Sequence, residues 1–225
     1  MTVLRVASYN TRDFLDDPTA AAAVVRAIAP DVLCLQEVPR RLWASRKVAA
    51  FARSCGMRWI GRHRGSGGTT VFVSDAVEIR SARHHRLHVA LLDRTRGYAV
   101  AHLAVPGWPP LVVASVHLGL RPSEREEHTK VILRSFAAAS GDVSIAAGDL
   151  NEGADGPAYR RFVEPMRPVS PMVPTYPVWA PRAVLDVIFA SPELRVVESG
   201  PVVLPEDLVR RASDHRPTWV DLTPV

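Results

Sequence analysis

Apolar runs that end in an acid, an amide or a histidine are the feature of this sequence that most limits its fold. Runs such as Asp31–Leu35 and Leu111–Val116 are short and almost wholly apolar, which is typical of strands buried on both faces. The polar residues within, at the end of or close to such runs are Asn10, Gln36, Glu37, His117, Asp149, Asn151, Asp186, Asp214 and His215. We therefore expect one face of a sheet sandwich to gather these side chains.

The order of elements combines strand–helix–strand units with a run of successive strands. Helices are expected over Pro18–Ile28, Arg40–Cys55, Ser123–Ala139 and Ala158–Val163. The expected strands include Val77–Ser81, Leu87–Leu92, Tyr98–Val105 and Val196–Glu198, and the proline-rich stretch Met166–Pro181 is expected to be irregular. This order predicts two mixed sheets packed face to face with helices outside, in a single domain spanning residues 1–225.

Composition limits the classes of partner and the compartment. The net charge of +5 favours polyanions, although the excess is almost all arginine and base composition of a genome explains such a bias equally well. No apolar stretch is long enough to span a bilayer and no leader pattern opens the chain, so we expect neither a stable membrane anchor nor secretion. The two cysteines, Cys34 and Cys55, suit a reduced cytoplasmic setting. Nothing indicates an obligate protein partner.

Oxygen donors at neighbouring strand ends are what phosphoester hydrolysis with a metal requires. Mg²⁺ prefers oxygen ligands, keeps several waters and takes one or two carboxylates from a protein. Asn10 and Glu37 would form such a site, and Asp149, Asn151 and Asp214 add further oxygens. For any one of these acids alone, a solvated loop carboxylate is the simpler interpretation.

A second group combines a histidine with a carboxylate. Asp186 interrupts an otherwise apolar strand, and a buried carboxylate needs a partner. His215, which follows Asp214, is the candidate, because a carboxylate on one imidazole nitrogen fixes the tautomer of the ring. A contact between Asp186 and the backbone is the alternative.

The tetrapeptide from Gly148 to Asn151 places two polar side chains just beyond a buried strand. If the extended backbone continues, Asp149 and Asn151 point to the same side. An ordinary Asp/Asn turn is the alternative.

Together these motifs resemble the endonuclease/exonuclease/phosphatase superfamily. The resemblance rests, in order along the chain, on Gln36-Glu37, His117-Leu118, Gly148-Asp149-Leu150-Asn151, Leu185-Asp186-Val187-Ile188-Phe189 and Ser213-Asp214-His215. It implies a four-layered α/β sandwich and hydrolysis of phosphoesters that depends on Mg²⁺ or Mn²⁺.

The resemblance also implies a role for each matching residue. Asn10 and Glu37 would belong to the metal site, and Asp214 would serve the metal or orient water. Asp149 and Asn151 would position the nucleophile and the phosphate. His117 would bind the scissile phosphate or help the leaving group. His215, paired with Asp186, would act as general base or stabilise the phosphate.

Departures from the family pattern narrow the subgroup. Members similar to exonuclease III carry tyrosine where His117 stands, which makes that branch the less suitable one. Many members have glutamine near the position of His128, so the supporting contact of that residue is in question. Arg125 matches an arginine that is frequent in the same helix.

Substrate contacts are expected from arginine and aromatic side chains near these motifs. Arg12, Arg121 and Arg182 are candidates for phosphate clamps, with surface salt bridges as the alternative. Tyr176 and Trp179 are candidates for stacking on a planar group, with packing of the proline-rich loop as the alternative.

The sequence thus predicts a metal-dependent phosphodiesterase, with nucleic acid as the first substrate class. A phosphomonoesterase or a lipid-headgroup phosphodiesterase is the alternative enzyme, and a noncatalytic nucleic-acid-binding module is the alternative from another class. The chain has little room for inserted loops that grip duplex DNA, which favours small or single-stranded substrates.

Overall fold

The computed structural model describes residues 2–61, 65–91, 93–137, 143–201 and 203–225. The strands are β1 (Leu4–Asn10), β2 (Val32–Gln36), β3 (Arg58–Trp59), β4 (Thr70–Val73), β5 (Glu78–Leu87), β6 (Arg96–Ala104), β7 (Leu111–His117), β8 (Val143–Asp149), β9 (Arg167–Pro168), β10 (Asp186–Ala190), β11 (Leu194–Pro201) and β12 (Thr218–Pro224). The helices are α1 (Pro18–Ile28), α2 (Ala44–Ser54), α3 (Pro122–Ala137), α4 (Pro157–Val163) and α5 (Glu206–Ala212).

Two mixed sheets repeat the same central pattern. The first sheet has the order β11-β12-β1-β2-β4-β3, and the second has the order β5-β6-β7-β8-β10-β9. In each, one parallel pair, β1/β2 or β7/β8, is flanked by antiparallel neighbours. A helix crosses between the parallel strands, α1 in the first sheet and α3 in the second. The carboxyl ends of the two parallel pairs carry four of the polar motif residues, namely Asn10, Gln36, His117 and Asp149.

Three apolar clusters hold the layers together. The largest lies between the sheets and includes Val6, Val113 and Ile145. A second cluster packs the outer face of the first sheet against residues of α1, α2 and α5, and a third packs the second sheet against α3 and α4. The molecule is therefore a four-layered α/β sandwich, as the sequence predicted. None of the helices in the described ranges has the length and apolarity that crossing a bilayer requires.

Several element predictions need correction. The strand expected over Leu87–Leu92 is wrong, because β5 continues from Glu78 to Leu87 and residues 88–91 form the turn that follows, while Leu92 lies outside the described residues. A shift of register between Ile79 and Ser81 interrupts the alternation along β5, which explains the error. Helix α5 was not predicted. The helix expected over Ser123–Ala139 begins at Pro122, and its last two residues lie outside the described part.

Candidate active site

The carboxyl end of the first sheet contributes an amide and a carboxylate. Asn10 is the last residue of β1, and its Nδ2 donates to Oδ2 of Asp149, 3.0 Å away on the other sheet. Glu37 directly follows β2 and has a φ of 51°, a left-handed conformation that is costly for a residue with a Cβ. Its side chain is 16% exposed. A strained backbone at Glu37 thus places a partly exposed carboxylate near the buried amide of Asn10.

The carboxyl end of the second sheet brings together a histidine and an aspartate. His117 and Asp149 are register partners at the ends of the parallel strands β7 and β8, and both are buried. Nε2 of His117 lies 3.4 Å from Oδ2 of Asp149 and 3.9 Å from Oε1 of Glu37. Because both neighbours are acceptors, the neutral ring carries its proton on Nε2. Nδ1 of the same ring has no hydrogen-bond partner among the described residues.

A buried histidine–carboxylate pair stands on the other side of Asp149. Nδ1 of His215 and Oδ2 of Asp186 are 2.8 Å apart. Nε2 of His215 lies 3.9 Å from Oδ2 of Asp149. Asp186 begins β10 opposite Asp149 and is fully buried. The partner expected for Asp186 from the sequence is therefore the one that the structure gives.

The two histidines carry opposite electrostatic shifts. Burial, with the charges of Arg96 and His215 nearby, holds the pKa of His117 well below its usual value. Burial also opposes the charged form of His215, but the carboxylates of Asp186 and Asp149 outweigh it and raise the pKa to about 10. Burial raises the pKa of Asp149 to about 6 against the opposing charge of His215. One ring is thus kept neutral and the other kept protonated.

The segment after β8 turns instead of continuing as a strand. Asn151 has a φ of 53°, and its backbone N–H donates to Oδ1 of Asp149 at 2.9 Å. The expectation that Asp149 and Asn151 point to one side through an extended backbone is wrong, and the Asp turn is correct. Asn151 Nδ2 donates to the carbonyl of Leu118. A Cβ at Gly148 would overlap the carbonyl oxygen of Val116, so only glycine allows this close approach of β8 to β7.

Asp214 lies at the edge of the site and faces the guanidinium of Arg12. Its Oδ2 is 3.4 Å from Nε of Arg12, whose Nη1 is 3.1 Å from Asp16. The backbone N–H of Arg12 donates to Oδ1 of Asn10. Arg12 therefore lies next to the predicted metal residues. It forms salt bridges there, which was the alternative to a phosphate clamp.

The other predicted substrate residues are divided between the site and the surface. The ring of Tyr176 is tilted against that of His215, with centroids 4.7 Å apart, while Trp179 in the same loop is 56% exposed. Arg121 is exposed and paired with Asp93 at 2.9 Å. Arg182 is exposed on the Tyr176 loop.

Sequence reasoning missed three arginines. Arg96 is 5% exposed, and its Nε donates to the carbonyl of Leu118, next to His117. Arg94 donates to Oε2 of Glu37 at 3.2 Å and to Oδ2 of Asp13 at 3.0 Å, and Arg40 lies 3.8 Å from the same oxygen of Asp13. A signal existed for Arg96, because it precedes the largely apolar run of β6 that pairs with His117.

Buried polar contacts brace the site from below. Gln36 spans the two sheets, donating to Ser115 Oγ at 3.2 Å and accepting from Ser8 Oγ at 3.4 Å. His128 accepts from the backbone N–H of Gly119 through Nδ1, while its Nε2 contacts the carbonyl of His88. His128 thus makes a supporting contact in the helix where many family members have glutamine.

Two sets of side chains are considered for a metal, one for the short distances within it and one for its oxygen donors. Ligand atoms of Asp149, Asp186 and His215 lie within 4.8 Å of one another. In that set, however, His215 Nδ1 is engaged by Asp186 and the ring carries a proton, which leaves it a poor ligand. Glu37 and the Oδ1 atom of Asn10 offer only oxygens, as Mg²⁺ and Mn²⁺ prefer.

Comparisons with known proteins identify the family and the fold of the chain. The model of the endonuclease/exonuclease/phosphatase family matches residues 7–215. The chain belongs to this family. Family membership makes it a hydrolase of phosphoester bonds, the reaction that endonucleases, exonucleases and phosphatases share. No curated protein sequence gives a significant match.

Solved structures share the fold at low sequence identity. A family member from Bacteroides vulgatus superposes with a TM-score of 0.80 at 18% identity, covering 100% of both chains. The mannosyl-6-phosphatase of Bacteroides thetaiotaomicron gives 0.79 at 18% identity, over 98% of this chain and 99% of its own. The human Nocturnin catalytic domain with bound sulfate gives 0.74 at 17% identity, over 99% and 95%.

Proposed function

We propose that this chain is a phosphodiesterase that depends on a divalent metal, Mg²⁺ or Mn²⁺. The observation that carries the proposal is the convergence, at one end of the sandwich, of the oxygens of Asn10, Glu37 and Asp149 with the hydrogen-bonded His215–Asp186 pair. Acceptors for a cation and a supported imidazolium stand within a few ångströms of each other.

Glu37 and Asn10 would hold the metal. The fit rests on two observations. Glu37 and Asn10 offer oxygen ligands to a cation. The neighbouring carboxylate of Asp149, which burial makes harder to ionise, would be stabilised in its charged form by that cation. When bound, the metal supplies charge neutralisation on the phosphoryl oxygens and on the leaving oxygen.

The chain's own residues supply orientation and protons. Asp149 orients the attacking water for in-line attack on phosphorus and accepts the proton that the water loses as its oxygen bonds to phosphorus. The leaving oxygen takes up a proton from solvent. Asn151 steadies Asp149 through its backbone N–H. His117 donates from Nε2 to a phosphoryl oxygen. His215, held by Asp186, presents Nε2–H as a charged donor to the phosphate as the P–O bond to the leaving group breaks. Of the two roles implied for His215 by resemblance, this geometry favours stabilising the phosphate.

Nucleic acid, small or single-stranded, is the first substrate class. The net charge of +5 suits a polyanion, and Arg40, Arg94 and Arg96 cluster near Glu37. Trp179 is free to stack on a base. A lipid-headgroup phosphodiester is the second candidate, favoured by exposed apolar side chains on the loops around the site. Because Cys34 and Cys55 are both free and buried, we also propose a reducing, cytoplasmic location.

A panel of substrates tests the proposal. Purified protein is incubated with bis-p-nitrophenyl phosphate, p-nitrophenyl phosphate, single-stranded and duplex oligonucleotides, and phospholipids, with Mg²⁺ or with EDTA. We expect the diester to be cleaved with Mg²⁺ and not with EDTA. Cleavage of monoesters alone would reject a phosphodiesterase. Binding of oligonucleotide without product under any metal would favour the noncatalytic module.

A further inference from the structure

Five large apolar side chains are exposed on four loops at the site end of the sandwich. These residues, here called the apolar rim, are Leu15 at 69% exposure, Leu42 at 86%, Trp43 at 64%, Leu91 at 91% and Leu120 at 64%. Single exposed apolar residues are ordinary, but a group on adjacent loops marks an interaction surface.

The four loops are adjacent because polar contacts join them. Arg94, two residues before β6, binds Asp13 of the loop after β1 and Glu37 of the loop after β2. Arg121, in the loop after β7, binds Asp93 of the loop before β6. Leu15, Leu91 and Leu120 each lie one or two residues from a member of this network, and Leu42 lies two residues from Arg40, whose guanidinium is 3.8 Å from Asp13. The rim therefore borders the end of the sandwich that carries the site.

Basic side chains without acidic partners flank the rim. Arg41, Arg46 and Lys47 are exposed, and none forms an ion pair with another of the described residues. The guanidinium of Arg46 instead lies over the ring of Trp43, 4.5 Å from its centroid. The sequence between Glu37 and Asp75 has no acid and eight basic residues, namely Arg40, Arg41, Arg46, Lys47, Arg53, Arg58, Arg62 and Arg64.

The backbone at Trp43 presents this group at a cost. Trp43 has a φ of 64°, in the left-handed region, directly before helix α2. A bulky residue in this conformation is strained, and such strain persists only where the surrounding structure holds it.

We infer that the apolar rim docks the protein onto an anionic lipid surface. Aliphatic side chains with 64–91% of their surface exposed gain by entering the boundary between headgroups and acyl chains, and flanking arginine and lysine side chains meet the anionic headgroups. Nucleic acid explains the charges and Trp43 but gives no burial to four exposed leucines. Docking is peripheral and agrees with the absence of a predicted membrane anchor.

Docking would also favour the second candidate substrate class, a phosphodiester in a lipid headgroup, over nucleic acid. A site whose mouth faces the lipid surface meets phosphodiesters in lipid headgroups before it meets those in solution. This second step rests on the proposed function, whereas docking itself does not.

Flotation with vesicles tests the inference. The full chain, in EDTA so that no turnover occurs, is mixed with vesicles of phosphatidylcholine alone or with 30% phosphatidylglycerol, and the bound fraction is measured across lipid concentrations. We expect binding to the anionic vesicles and at least tenfold weaker binding to phosphatidylcholine. The double variant Leu42→Ser, Trp43→Ser should bind at least tenfold more weakly, and Arg41→Glu about fivefold or more.

Matched controls lie at the opposite end of the sandwich. Val225 is 81% exposed at the end that lies away from the site, and Arg195 is exposed at the start of β11. Val225→Ser and Arg195→Glu should leave vesicle binding within twofold of the original protein. If either control weakens binding as much as its rim counterpart, general charge or apolarity is responsible and the rim is rejected.

Two further outcomes separate docking from catalysis. If the protein hydrolyses bis-p-nitrophenyl phosphate but fails to float with anionic vesicles, docking is wrong and the proposed function stands. If the rim variants weaken binding of a single-stranded oligonucleotide while no vesicle binds, the rim serves nucleic acid and the inference is overturned. His215→Ala should float like the original protein, which shows that docking does not need the catalytic groups.

Discussion

The two sheets end in different residue pairs although their strands repeat one pattern. The last register partners of the parallel strands are Asn10 and Gln36 in the first sheet and His117 and Asp149 in the second. The first pair cannot ionise, and Gln36 is used to join the sheets through Ser115. The second pair is ionisable and buried. The difference teaches that one topology provides two kinds of strand end, one made of amides and one made of a buried ionisable pair.

The largest expected effect is loss of turnover when the His215–Asp186 pair is disrupted. His215→Ala should lower kcat for bis-p-nitrophenyl phosphate by about 10²–10⁴-fold, because the charged donor is removed. Asp186→Asn should lower kcat less, because the ring remains but loses its carboxylate. Asp221→Asn is the control, since Asp221 pairs with Arg5 away from the site. An effect on kcat from Asp221→Asn equal to that of Asp186→Asn would show that loss of a buried acid alone explains the result.

His117→Gln should have a smaller effect on the same reaction. The ring is neutral and its Nε2 lies 3.4 Å from Oδ2 of Asp149, a position that the side-chain amide of glutamine fills in part, so we expect kcat/KM to fall about 10–100-fold. Steady-state kinetics with an unchanged circular dichroism spectrum provide the measurement. A change below threefold would remove His117 from the mechanism.

Adding a charge at one strand end and removing one at the other should change the free energy of unfolding in opposite directions. Gln36→Glu places a charge between the sheets without a cationic partner and should lower the free energy of unfolding by about 2–4 kcal/mol. Asp149→Asn should raise it by about 1 kcal/mol at pH 8. The pKa of Asp149 is raised to about 6, so its favourable contribution is present at low pH and is lost as pH rises through that value. Urea unfolding without divalent ions would measure both, and shifts of equal sign would contradict this account.

The smallest effect concerns the supporting histidine of α3. Burial lowers the pKa of His128 although its bond to the His88 carbonyl and the charge of Glu124 oppose this, with Arg96 adding to the lowering. The neutral ring is therefore favoured by folding, and its contribution is complete above about pH 6.5 and lost as pH falls below that value. His128→Gln should reduce the fall in stability between pH 7.5 and 5.5 by less than about 1 kcal/mol once solvent screening is included.

The comparison variant for this pH effect is His88→Gln, which leaves the backbone carbonyl in place and removes an exposed side chain whose charge is a minor cause of the lowered pKa of His128. We therefore expect it to change the pH response less than His128→Gln does. Thermal unfolding at both pH values measures the two variants. A larger pH response for His128→Gln than for the original protein would reverse the sign that burial predicts.

The sequence predicted the fold and the strand ends well because both depend on local patterns. Apolar runs specify the buried strands, and a polar residue that closes such a run, such as Asn10 or His117, stands out. The contact between Asp186 and His215 was predictable because a buried acid needs a partner. The turn at Asn151 was not, since an Asp turn and an extended strand suit the same tetrapeptide. The positions of Arg40 and Arg94 depend on how distant loops meet, which no local pattern records.

Dependence of turnover on Mg²⁺ tests the division between the two strand ends most directly. Initial rates with bis-p-nitrophenyl phosphate are measured across Mg²⁺ concentrations for the original protein, Glu37→Gln and His215→Ala. We predict that Glu37→Gln raises the Mg²⁺ midpoint at least tenfold, and that His215→Ala lowers the maximal rate at least 100-fold with a midpoint within about twofold of the original. An unchanged midpoint for Glu37→Gln, or an equal shift for both variants, would contradict the account.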